Sequence, residues 1–121
     1  MYELMAEDTF DAAHALRGYK GSCENLHGHT WSVQVFLNGE ELDKIGLLYD
    51  FREIKSKLKL VIDEFDHKNL NDLDIFKEQN PSSENLAKII FDKLKLEIKL
   101  VSKVTVWESQ TTKASYYESD D

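Results

Sequence analysis

The residues best suited to chemistry crowd into one short stretch, Cys23-Glu24-Asn25-Leu26-His27-Gly28-His29, which holds the only cysteine and two of the four histidines. Past it, Trp31, Val33, Val35 and Leu37 alternate with Thr30, Ser32 and Gln34, and that period of two predicts a strand. Side chains two apart on a strand share a face, so His27 and His29 aim together while Gly28 points away. A third histidine, His14, ends an earlier strand pattern. A short connection makes two such strands antiparallel neighbours. Three imidazoles can then meet at one ion, with Zn–N distances of about 2.0–2.1 Å. Three protein ligands and one open position make a catalytic zinc pattern; ordinary surface or core histidines are the plain alternative.

Three further residues can take part. Cys23 reads as a fourth ligand closing a structural site, as a thiolate base of lowered pKa near a cation, or as an inert buried thiol; its loop position argues against the last. Asp66-His67 pairs a carboxylate with the fourth imidazole, which can make a proton-transfer pair or be a solvated loop dipeptide. Glu108 is a carboxylate within a strand beside Trp107. It either faces solvent or accepts two parallel hydrogen bonds from a ligand with a fork of N–H donors.

The elements that must position these residues follow from the pattern. A strand is predicted from Tyr2 to Leu16, a loop over 17–22, and a second strand ending at Asn38-Gly39-Glu40. Asp50 starts a helix to Phe65, with Glu53 in the capping-box position, Tyr49 and Ile54 as a staple, and Phe51, Ile54, Leu58, Val61, Ile62 and Phe65 as its buried stripe. Residues 66–72 are rich in Asn and Asp and read as a loop. A second helix starts within Asn80-Pro81-Ser82-Ser83-Glu84, runs to about Leu96, and buries Leu86, Ile89, Ile90 and Leu94. Strands over 102–108 and 113–118 close the chain. The order ββααββ predicts an α+β fold: a four-stranded antiparallel sheet with two helices on one face.

Composition narrows the function. The 121 residues predict one domain, 1–121, and the 41% apolar content supports a modest core that oligomerisation would help. A net charge of −8 argues against nucleic-acid binding. No apolar run has the length of a membrane span and the N-terminus lacks a signal pattern. A single cysteine fits a reducing cytoplasm.

The motifs resemble the 6-pyruvoyl-tetrahydropterin synthase family. Phe10-Asp11-Ala12-Ala13-His14, Cys23-x-x-x-His27-Gly28-His29, Asp66-His67-x-x-Leu70-Asn71, Asn80-Pro81-x-Ser83-Glu84 and Val106-x-Glu108 stand in the family's order and rough spacing over nearly the whole chain. The gap between Cys23 and His27 resembles the carboxy-pterin branch, which serves queuosine synthesis. The resemblance implies a tunnelling fold, trimers stacked as hexamers, and a site between subunits. It implies a zinc lyase acting on 7,8-dihydroneopterin triphosphate, with His14, His27 and His29 as zinc ligands and Cys23 as the catalytic cysteine. It further implies Asp66 and His67 as the proton relay and Glu108 as the pterin anchor. One departure is Tyr116-Tyr117-Glu118-Ser119 where the family often ends in Tyr-Arg-Gly-Glu. Arg17, Lys20 and Lys113 are the candidate replacements for the missing arginine at the triphosphate. The rival readings are a pyruvoyl-pterin synthase or related pterin side-chain lyase, and a non-catalytic zinc-stabilised binding module.

Overall fold

A computed structural model describes residues 1–18, 21 and 25–119. Two long strands, β1 (Tyr2–His14) and β2 (His27–Gly39), pair antiparallel along their full length, from Tyr2 opposite Gly39 to His14 opposite His27. Helix α1 (Phe51–Ile62), a short strand β3 (Lys68–Asn69) and helix α2 (Ser83–Glu97) follow, then β4 (Val101–Trp107) and β5 (Lys113–Tyr116). The sheet has five strands in the order β3-β1-β2-β4-β5. Among the described residues, no helix is long and apolar enough to cross a membrane.

The α+β class stands, and the expected four antiparallel strands are all present. The fifth is a correction. Residues 66–72, expected as a loop, contribute β3, which runs parallel to β1 with Lys68 opposite Ala12 and Asn69 opposite Ala13. It is two residues long, too short to show a period. What forms it is the β1 edge, whose peptide groups need partners. Two 3₁₀ turns, Leu70–Asp72 and Asp74–Phe76, carry the chain on to α2.

Both helices start where cap residues permit. Asp50 accepts from the Arg52 N–H at 2.8 Å and Ser82 from the Asn85 N–H at 3.1 Å, contacts worth about 1 kcal/mol each. The helices lie together on one sheet face, α1 over β1 and α2 over β4 and β5. The α1 stripe holds Ile54, Leu58, Val61 and Ile62, but Phe51 is half exposed. The buried stripe therefore begins one turn later, at Ile54.

Strand alternation decides which face each side chain meets. Ala6, Phe10, Ala12 and His14 of β1 turn inward under the helices, as do Trp31, Val33, Val35 and Leu37 of β2. Phe10 and Trp31 stack with ring centroids 5.9 Å apart. Fully burying a side chain of this size contributes about 1.5–3 kcal/mol. The inward rows end in imidazoles: His14 follows Ala12, and His29 and His27 precede Trp31. The outward rows, Glu7, Thr9 and Asp11 against Thr30, Ser32 and Gln34, are polar.

Candidate active site

Trp31 forms the floor of the inward site. Its indole N–H donates to the Ala12 carbonyl at 3.2 Å. The His14 and His29 rings stand nearly perpendicular to it at 4.8 and 5.3 Å between centroids. Because His14 and His27 are register partners and His29 is two residues on, the three rings converge, with centroids 4.7–5.2 Å apart.

Backbone carbonyls set the ring tautomers. His14 Nδ1 lies 2.7 Å from the Pro81 oxygen and His27 Nδ1 lies 2.7 Å from the Asn25 oxygen. A carbonyl only accepts, so each Nδ1 carries the proton and each Nε2 keeps its lone pair. His14 is 1% exposed, and burial holds it below the ordinary histidine value against the opposing pull of the Pro81 carbonyl and Glu108. A neutral imidazole is the form that ligates a metal.

Glu108, just past β4, brings its carboxylate into the same group. Its Oε1 lies 3.0 Å from His29 Nε2 and 3.8 Å from His14 Nε2, while Oε2 accepts from the Ser83 hydroxyl at 3.0 Å. The Glu108 contact with His29 is at ion-pair distance but is not a hydrogen bond. The Nε2 atoms of His14 and His29 are therefore buried with no hydrogen-bond partner. Buried nitrogens without partners are costly and uncommon. One ligand atom from each of His14, His27, His29 and Glu108 lies within 4.8 Å of the others. Imidazole nitrogens plus a carboxylate oxygen form a donor set suited to zinc, so the residues fit a metal.

Asp66 and His67 assemble on the other face of β1–β2. Asp66 Oδ1 accepts the Asp11 N–H at 2.9 Å and lies 3.1 Å from His67 Nδ1. The Asp11 N–H is the main reason the Asp66 carboxyl is held below its ordinary value. His67 donates its own N–H to the Asp11 carbonyl at 2.6 Å. It has φ +58°, a left-handed conformation uncommon outside glycine. The Asp11 side chain is tied across to Thr30, whose hydroxyl lies 2.5 Å from Asp11 Oδ1. His67, Asp11, Thr30 and Gly28 line a cleft of about 540 Å³ that His29 also reaches. An added Cβ on Gly28 would meet nothing closer than the Ala12 oxygen at 4.0 Å. This glycine leaves space on the outer face rather than serving an unusual backbone angle.

The histidine and carboxylate candidates thus fall into two groups, His14, His27, His29 and Glu108 inside and Asp66 and His67 outside. Cys23 and Lys20 lie outside the described residues. Of the other triphosphate candidates, Arg17 donates to the Phe76, Lys77 and Gln79 carbonyls and to Asn80 Oδ1, so its guanidinium is committed within the fold. Lys113 stands over the Trp107 ring at 5.1 Å. Sequence reasoning missed Ser83, Pro81 and Asp11 as supports of the two groups; only their places inside motifs marked them.

The chain matches the 6-pyruvoyl tetrahydropterin synthase family over residues 3–119, and it belongs to that family. It is 33% identical over 142 aligned residues to the 6-carboxy-5,6,7,8-tetrahydropterin synthase of Haemophilus influenzae, covering 98% of this chain and 100% of that one. It is 36% identical to the dihydroneopterin monophosphate aldolase of Pyrococcus furiosus, with 83% of each chain covered. The solved Caenorhabditis elegans 6-pyruvoyl tetrahydropterin synthase superposes with a TM-score of 0.88 at 34% identity, covering 98% of this chain and 96% of that one. The protein is accordingly an enzyme, a carbon–carbon lyase of the pterin type.

Proposed function

We propose that this chain is a zinc-dependent lyase, one domain over residues 1–121, that converts 7,8-dihydroneopterin triphosphate and one water to 6-carboxy-5,6,7,8-tetrahydropterin, acetaldehyde and triphosphate. The pathway is queuosine synthesis and the compartment the cytoplasm. The observation that carries the reading is the pair of buried, partnerless Nε2 atoms of His14 and His29 converging with His27 and Glu108. His14, His27 and His29 hold the ion. Bound there, zinc supplies Lewis-acid stabilisation of negative charge developing on the substrate side chain.

The remaining roles belong to the chain's own groups. Glu108, braced by Ser83, accepts paired N–H donors of the pterin ring. The Cys23 thiolate removes a carbon-bound proton. His67 moves protons on the other side, with its ring oriented by Asp66. The edge of β5, unpaired among the described residues, and the polar outer sheet face support assembly as trimers or stacked trimers, with the site between subunits.

Acetaldehyde release and product analysis test the reading. Zinc-loaded protein is expected to release acetaldehyde from 7,8-dihydroneopterin triphosphate and leave the carboxy-pterin. Zinc-loaded protein that releases none sinks the substrate assignment, and a pyruvoyl-pterin product moves it to that branch. The name of the Pyrococcus furiosus relative favours one second reading, aldol cleavage of a dihydroneopterin phosphate with the phosphate ester retained, which product analysis separates equally well.

A further inference from the structure

Past His14 the chain leaves the sheet, yet the edge of β1 stays paired. Alternate residues of a strand turn both peptide groups to the same side. On the side away from β2, Asp11 meets Asp66 and His67, and Ala13 stands opposite Asn69. Beyond β1, side chains complete the peptide groups of Ala15 and, in the turn that follows, of Arg17. Asn71 accepts the Ala15 N–H at 2.8 Å and donates to the Ala15 oxygen at 2.9 Å. Asn80 accepts the Arg17 N–H at 2.9 Å and donates to the Arg17 oxygen at 2.9 Å. A carboxamide offers one acceptor and donors side by side, as a peptide group does, so each asparagine replaces a missing strand.

The Asn80 contact has a consequence that the Asn71 contact lacks. Asn80 is followed by Pro81, which has no N–H and cannot itself be registered by a backbone donor. Yet the Pro81 carbonyl is the acceptor that sets His14, and Ser83, two residues further, braces Glu108. Residues 80–83 therefore touch Arg17, His14 and Glu108 in succession. The Asn80 amide ties this segment to the chain just past β1, backed by the Arg17 guanidinium on the carbonyls of the preceding turn, while Asn85 Nδ2 donates to the Asn80 carbonyl at 2.8 Å from the helix side.

We propose that Asn80 is a positioning residue for the histidine site: by pairing with the peptide groups of Arg17, in the turn just past β1, it fixes the Pro81 carbonyl, and so keeps His14 with Nδ1 protonated and Nε2 bare. The geometry stands without a metal; the consequence for zinc retention rests on the functional reading above.

Two variants and two readouts test this. Asn80→Ala removes both amide contacts with the Arg17 backbone and the one with Arg17 Nε. Asn80→Asp keeps size and acceptor but loses the donor to the Arg17 oxygen, and it serves if the alanine variant does not fold. Long-range ¹H–¹⁵N spectra of metal-free protein at alkaline pH report the His14 tautomer. Wild type is expected to show the Nδ1–H form alone, and both variants a mixture. Zinc release to a chelator is expected to quicken by about 10–100-fold, the usual scale for losing the partner of a ligating histidine. Arg17→Ala, which keeps the peptide groups Asn80 pairs with, should retain the single tautomer. A variant that melts lower yet keeps one His14 tautomer and the wild-type zinc release rate overturns the proposal, leaving Asn80 a stabiliser of the fold. Wild type that binds no zinc overturns the metal reading instead, and the tautomer spectra then decide the role of Asn80.

Discussion

The two faces of the β1–β2 pair support opposite kinds of histidine. Inside, His14 is 1% exposed, its proton is fixed by a backbone carbonyl, and its other nitrogen has no partner. Outside, the His67 side chain is 78% exposed, a carboxylate stands at its Nδ1, and its backbone is held in the left-handed region by Asp11. Burial strips water from the His14 ring and from the Nε2 atom of the partly exposed His29, and leaves these nitrogens available to an ion. Exposure keeps the outer ring in contact with solvent, which proton exchange requires. The same residue type thus suits metal binding or proton transfer according to the face it occupies and what its Nδ1 meets.

The sharpest way to break that contrast is to remove an inner ring. His14→Ala and His27→Ala are each expected to abolish zinc binding and turnover together, read by metal analysis and acetaldehyde release. Full zinc occupancy in either variant would dissolve the distinction. The residues proposed to transfer protons should behave differently. His67→Ala and Cys23→Ala are expected to keep zinc while turnover falls by roughly 10²–10⁴-fold. Zinc loss in Cys23→Ala would make the thiol a ligand and the site a closed, structural one.

Glu108→Gln probes the border, since its carboxylate stands among the inner rings. It should retain zinc and raise KM, costing about 1–3 kcal/mol for a donor left facing a donor. If zinc is lost instead, Glu108 belongs to the metal. A smaller effect tests the outer backbone: His67→Gly should be more stable than His67→Ala by about 1 kcal/mol, because glycine adopts a positive φ without steric cost. Equal melting temperatures would remove the strain from the account. The smallest effect concerns acid. Since the folded fold depresses the Asp66 carboxyl, its contribution is present above the ordinary value of 3.8 and lost as pH falls below it. Wild-type stability should decline there more steeply than that of Asp66→Asn, as followed by melting temperature against pH.

Much of this was legible in the sequence. Alternation placed β1 and β2, the His-x-His spacing put two rings on one face, and the cap residues Asp50 and Ser82 lay within the predicted helix starts. The partners of those rings were not legible. Pro81 and Asn25 act through backbone carbonyls, which every residue possesses, so no side-chain type announces them. β3 is too short for a period and forms only against a strand far away in the chain. The Asp66–His67 dipeptide was visible, but its left-handed turn depends on Asp11, and only the fold brings Asp11 there. Glu108 read equally well as a surface acid until the end of β4 was placed beside His29.

The three imidazoles all come from one pair of neighbouring strands, while Glu108 and its Ser83 brace come from the far part of the chain. Strand pairs of this kind close in roughly microseconds, and synthesis proceeds at about 5–20 residues per second. A growing chain therefore presents its histidines some seconds before the carboxylate exists. An ion that binds here can meet the three imidazoles first. Its identity is then settled by imidazole's own preferences and by which metals the cell leaves free, before the neighbouring Glu108 carboxylate has any influence.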